Sequence, residues 1–194
     1  LDKPLIVQYL IWLGRTVTGD LGNTLLAEQP VLDVIKMKIG ATFQLGLVAW
    51  VVATAVGIPL GVLSAVKRGS AWDYIGRIFA LFGQATPVFF IGILGILFFA
   101  VTLGWLDAAG RPTQEPFFPA QFKSLIMPTV ALAWLPAASY LRITRSAMLE
   151  VLDSEYIKLA RAKGVSQRAV IWRHALRNAL IPPITVSALI LVGF

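Results

Sequence analysis

Four stretches of this chain carry no charged residue: residues 41–66, 78–106, 125–141 and 179–194. Crossing the hydrocarbon core of a bilayer takes about 20 consecutive apolar residues as a helix. The first two stretches exceed that length. The third is slightly short, but Arg142 at its end has a stem long enough to reach the interface. The fourth starts a further span. The pattern predicts an all-α, polytopic transmembrane helical bundle. Polar segments between the spans carry almost all of the charge.

Residues 1–13 are apolar but too short to span. Tyr9 and Trp12 suit a helix lying in the membrane interface, and Asp2 and Lys3 at its start argue against a truncated span. Residues 14–38 are polar, with a turn at Gly19-Asp20-Leu21-Gly22. After Pro30, the spacing of Val31, Val34, Ile35 and Ile39 predicts an amphipathic helix leading into the first span. The chain therefore divides into an extracytoplasmic segment with interfacial helices, residues 1–40, and a transmembrane domain, residues 41–194. Leu1 as the first residue, and an end at Phe194 within an apolar run, read as an internal piece of a longer chain.

Two features inside the spans stand out. Ala49, Ala53, Gly57, Gly61 and Ala65 recur every fourth residue, which puts small side chains on one helix stripe. Such a stripe lets another helix approach closely. That helix belongs either to this chain or to a second subunit, and packing within the chain is the simpler reading. Pro87 kinks the second span at Gln84-Ala85-Thr86-Pro87. Gln84 and Thr86 either satisfy the backbone freed by the proline or line an aqueous path.

Composition agrees with the pattern. Apolar residues make up 57% of the chain, against about 45–50% in soluble domains, and mean hydropathy is +0.76. There is no cysteine and a single histidine, His174, so no thiolate nucleophile or histidine metal cluster is available. No glycine-rich phosphate loop is visible. A charge near mid-bilayer costs at least about 2.5–3.5 kcal/mol and usually marks a function. Spans without one give no support to a proton relay or a charged ion path. No catalytic residue, metal, cofactor or nucleic-acid partner is expected in this chain.

Charge placement orients the bundle. The whole formal net charge of +7 lies in residues 67–77 and 142–177, while 1–38 and 107–123 balance to zero. The positive-inside rule makes the first pair of loops cytoplasmic.

The longer of these loops, lying within residues 142–178, has a local grammar of its own. Asp153 or Ser154 can cap a helix, and Glu155 adds negative charge at its positive end. Tyr156, Leu159 and Ala160 recur at helical spacing as one apolar face, and Arg161 and Lys163 follow near the C-terminal end. Gly164 reads as the stop, able to take a left-handed conformation. Ser166 can cap a second helix carrying Arg168, Arg173 and Arg177 and running to Pro182-Pro183. His174 reads as a surface residue. Arg177 and Asn178 either cap backbone carbonyls or pair with a partner. Two short helices broken at a glycine make an elbow.

Ala160-Arg161-Ala162-Lys163-Gly164 and His174-Ala175-Leu176-Arg177-Asn178-Ala179-Leu180-Ile181-Pro182 resemble the cytoplasmic EAA motif loop of bacterial ABC-importer permeases, closest to the peptide/nickel branch. Where the general motif has Glu-Ala-Ala, this chain has Lys158-Leu159-Ala160. Gly19-Asp20-Leu21-Gly22 is similar to the segment after the first span of peptide permeases, and Thr86-Pro87-Val88-Phe89-Phe90-Ile91-Gly92 to a further string of the family. The resemblance implies an inner-membrane subunit with six spans in the intact chain, about four of them represented here. It implies half of a translocation path for di- or oligopeptides, with nickel, glutathione or glycosides as other cargoes. It also implies two ATPase subunits docked on the elbow, a homologous second permease and an extracytoplasmic solute-binding protein. A passive channel, a secondary carrier and a membrane scaffold that anchors a soluble protein are the rival readings.

Overall fold

The computed structural model describes residues 4–25, 27–108, 110 and 122–193. Most of the proline- and phenylalanine-rich segment at 108–123 lies outside them. Among the described residues the regular structure is helical, apart from one isolated bridge between Asn23 and Pro30. Two compact units meet at Gln44–Leu45.

In the first unit, α1 (Leu5–Val17) buries none of its residues, and its Tyr9 and Trp12 rings lie 5.9 Å apart. The chain then turns at Gly19 and Gly22, both at positive φ. Asp20 accepts the Gly22 N–H at 2.9 Å, a local bond that favours turn over helix. The amphipathic helix expected after Pro30 and the first span are one element. α2 (Val31–Val66) runs through both, and through Pro59, without a break.

The second unit is assembled on α5 (Phe122–Leu152). This helix continues past the apolar run through Arg142 and Arg145, so the lead-in to the elbow is helical, not loop. The small-residue stripe of α2 lies against it. Ala49, Ala53, Gly57, Gly61 and Ala65 are all buried. A Cβ on Gly57 would stand 2.5 Å from the Ala137 carbonyl oxygen, and one on Gly61 2.7 Å from that of Leu141. Neither distance can accommodate a carbon. The stripe thus packs within the chain. α9 (Ile181–Val192) is tied to α2 by Trp50, whose indole N–H donates to Ser187 Oγ at 2.8 Å.

The basic segment 67–77 is mostly helix. Only residues 67–70 turn, and Asp73 and Arg77 sit in the first turns of α3 (Ala71–Ala85). The second apolar run breaks where its kink is expected, at Pro87. α3 and the next helix, α4 (Val88–Gly95, extended by a π-helical turn over Ile96–Thr102), are turned 103° from each other. Pro87 has no N–H to continue α3 and forces Thr86 into extended backbone. The Thr86 N–H and hydroxyl both donate to the Phe82 carbonyl, at 3.0 and 2.7 Å, which closes the helix. Among the described residues two helices, α2 and α5, are long and apolar enough to cross a membrane, or up to four if each bent pair is taken as one span.

Candidate coupling site

The elbow follows directly from α5. α6 (Glu155–Ala162) starts after Ser154, which occupies the capping position but does not cap; its hydroxyl donates back to the Val151 carbonyl. α6 ends in a Schellman motif. The Val165 N–H donates to the Ala160 carbonyl at 3.2 Å, and the Gly164 N–H to that of Arg161 at 3.0 Å. This pair of bonds needs a left-handed residue between them, and Gly164 supplies it with φ +78°. No atom lies within 4 Å of a Cβ built there, so conformation and not space demands the glycine.

Ser166 then caps α7 (Gln167–Ala169), its hydroxyl accepting the Ala169 N–H. A π-helical stretch, Val170–Ala175, and α8 (Leu176–Ala179) complete the second arm. α9 follows after a bend of 48°.

The two arms are joined by a side chain from each. Asn178 donates its amide to Tyr156 Oη at 2.8 Å, and the Tyr156 hydroxyl donates to the His174 carbonyl at 3.4 Å. Tyr156, His174 and Asn178 therefore meet, and Asn178 serves an internal bond. Glu155, Arg161, Lys163, Arg168 and Arg177 are exposed. Glu155 pairs with Lys158 at 2.7 Å across one helix turn, an exposed contact worth about 0.3–0.5 kcal/mol at most. Gln84 and Thr86 lie elsewhere, at the C-terminal end of α3.

The apolar face expected from Tyr156, Leu159 and Ala160 needs correction. Ile157 is the fully buried residue of α6, while Tyr156 and Leu159 are 42% and 56% exposed and Ala160 is half-buried. Ile157 joins Val170, Ala175 and Ala179 of the other arm, Val62 and Ala65 of α2, and Met148 and Leu152 of α5 in one cluster. The elbow is seated on the ends of two long helices. Its outer surface combines cations with exposed Leu159 and Trp172, the latter 59% exposed.

A second cluster, not anticipated from sequence, lies beside the seat. Asp73 is 1% exposed and holds a two-point ion pair with Arg145, Nε to Oδ1 at 2.7 Å and Nη2 to Oδ2 at 3.1 Å. Ser64 Oγ donates to the same carboxylate at 2.8 Å, the Gly69 N–H at 3.0 Å, and Arg77 approaches to 3.4 Å. One buried carboxylate thus ties the end of α2, the 67–70 turn, α3 and α5. Arg68 adds an exposed pair with Asp153 at 3.4 Å. These pairs place segments 67–77 and 142–177 at the same end of the bundle. The available signal in the sequence was Asp73 itself, the one acidic residue among Lys67, Arg68 and Arg77.

A helical membrane bundle whose cationic elbow sits on the ends of its two longest helices has clear relatives. Residues 57–194 match the family described as the binding-protein-dependent transport system inner membrane component. The chain belongs to that family. It is 38% identical to a dipeptide transport system permease protein of Alkalihalophilus pseudofirmus, over 97% of this chain and 63% of that protein. It is 38% identical to a di/tripeptide transport system permease protein of Pseudomonas aeruginosa, over 97% and 62%. A putative peptide transport system permease protein of Brucella suis is 41% identical, over 98% and 60%. The chain thus spans about three-fifths of the length of these relatives. As a family member it is an integral membrane permease component, and the matched region contains the elbow, its seat and the Asp73 cluster.

Proposed function

We propose that this chain is the membrane subunit of an ATP-driven importer of di- and oligopeptides, and that the elbow around Gly164 receives the motion of an ATPase subunit. In this reading the elbow faces the cytosol, where the positive-inside rule puts its cations. A homologous permease supplies the other half of the path, two ATPases dock on the elbows, and a solute-binding protein delivers cargo outside. The peptide cargo follows the names of the relatives.

One observation carries the coupling. The elbow presents exposed cations, Leu159 and Trp172 outward, and buries Ile157 and Val170 against the ends of α2 and α5. Packed interfaces shift between discrete arrangements rather than deforming continuously. A push on the outer face therefore moves both long helices together. The Asp73–Arg145 pair extends that movement to α3. Arg145 stands seven residues before Leu152, about 10 Å along the helix at 1.5 Å per residue.

The test is peptide uptake by proteoliposomes holding the full-length permease pair, its ATPases and ATP. Gly164→Pro is expected to abolish uptake while membrane insertion persists. Undiminished uptake by that variant, or uptake without any ATPase subunit, would overturn the reading.

A further inference from the structure

A concavity of about 380 Å³ opens between α3 and α5, on a face distinct from the elbow's outer surface. Arg77, Arg142 and Arg145 line it, together with Gln84, Ser146 and Leu81. Two of these three guanidinium groups share one carboxylate. Asp73 takes the two-point pair with Arg145 and the longer contact with Arg77. Arg77 is further held by its ring contact with Tyr74, at 4.5 Å from the centroid. Arg142 is exposed and has no acidic partner among the described residues. The pocket therefore keeps two positive charges beyond neutrality, with two of its three cations already fixed in place.

Its depth is as informative as its charge. Arg77 immediately precedes the apolar stretch 78–106, and Arg142 immediately follows the stretch 125–141. Both arginines thus adjoin an uncharged stretch, the place where basic residues meet the head-group level in membrane helices. Toward the apolar side, Ile78, Leu81 and Phe82 of α3 are exposed, at 55%, 69% and 62%. Cations at the head-group level with bare apolar side chains below them match the two ends of a phospholipid. Basic pockets between membrane helices bind anionic head groups through charge-assisted hydrogen bonds to phosphate oxygens.

We propose that this pocket binds the phosphodiester of an anionic phospholipid, with Arg142 as the free donor, Arg77 and Arg145 as pre-set cations, and an acyl chain along Ile78, Leu81 and Phe82. The site stands independently of the coupling role proposed for the elbow.

The test titrates the purified full-length permease, in zwitterionic detergent, with short-chain phosphatidylglycerol and, separately, with short-chain phosphatidylcholine, reading bound lipid by native mass spectrometry. Phosphatidylglycerol is expected to bind the more tightly. Each basic residue near an anionic lipid surface contributes about fivefold in binding. Arg142→Ala should therefore weaken phosphatidylglycerol about fivefold without changing phosphatidylcholine, and Arg142→Lys should restore most of the loss. Arg168→Ala, an equal charge change on the elbow, should leave phosphatidylglycerol binding unchanged. Equal losses in Arg142→Ala and Arg168→Ala would mean a diffuse field and overturn the site. Inorganic phosphate that displaces phosphatidylglycerol at matching concentration would assign the pocket to free phosphate and overturn the lipid. Failure of phosphatidylglycerol to bind the assembled complex, with a cross-linker at position 142 capturing the second permease, would assign the pocket to a protein contact instead.

Discussion

Two groups of cationic side chains lie at the same end of this protein, and they are used in opposite ways. Around Asp73, Arg145 and Arg77 turn inward onto a carboxylate that is almost wholly excluded from solvent. Around Gly164, Arg161, Lys163, Arg168 and Arg177 turn outward. The inward group fixes geometry, because a buried charge must keep its partners. The outward group leaves its charges exposed, and its shape rests on backbone bonds, the Tyr156–Asn178 bond and the apolar cluster around Ile157. Rigidity and availability are thus divided between neighbouring clusters. The proposed coupling, in which the elbow holds a partner and moves two helices, draws on both.

Breaking the inward group gives the largest expected effect. Asp73→Ala strips Arg145 of its partner and leaves Ser64 and the Gly69 N–H unbonded. Removing one member of a buried pair costs about 3–5 kcal/mol. Thermal unfolding of the full-length permease in detergent should show this as a large fall in the midpoint. A shift no greater than that of an exposed-pair variant such as Arg68→Ala would mean that the carboxylate does not lock the bundle.

Next in size is the seam that supports both clusters. Gly61→Leu puts a side chain where the Leu141 carbonyl oxygen and Thr144 Cβ already stand, both 2.7 Å from a Cβ. Overpacking of this kind costs about 1–3 kcal/mol. The same unfolding measurement should rank it below Asp73→Ala. Gly14→Leu, at a site with open space, should be nearly silent by comparison.

The elbow yields a smaller change in stability. A non-glycine residue in the left-handed region costs about 1–2 kcal/mol, so Gly164→Ala should lower stability by that amount or less. Its effect on ATP-dependent uptake should be proportionally greater than its effect on unfolding. Equal proportional losses in both would mean that the glycine serves folding alone. Smallest of all is Glu155→Gln, which removes one exposed pair with Lys158 and should change stability by less than about 0.5 kcal/mol.

Much of the elbow was legible residue by residue. The end of α6 at Gly164, the cap by Ser166 and the small-residue stripe of α2 are written in local spacing. Helix termini are decided by bonds spanning a few residues, and a stripe is decided by helical periodicity. The face of α6 was misjudged for an instructive reason. Tyr156, Leu159 and Ala160 have helical spacing, yet Ile157, one residue away, is the one the ends of α2 and α5 enclose. On a short helix with few apolar residues, the buried face depends on where the neighbours are. In the second apolar run the place of the kink was legible and its size was not. Proline marks where a helix breaks, but the bend of 103° at Thr86-Pro87 depends on how α3 and α4 pack.

Local chemistry alone, then, settles that this chain is helical, that it enters a membrane, and that it breaks at Gly164. These outcomes depend on apolar run length and on backbone conformations available to single residues. The meeting of Asp73 with Arg145, 72 residues apart, the burial of Ile157 and the joining of Tyr156 to Asn178 were decided only by tertiary packing. Each requires two helices to lie side by side, and the pairing of helices is a property of complementary surfaces that no single stretch of sequence contains.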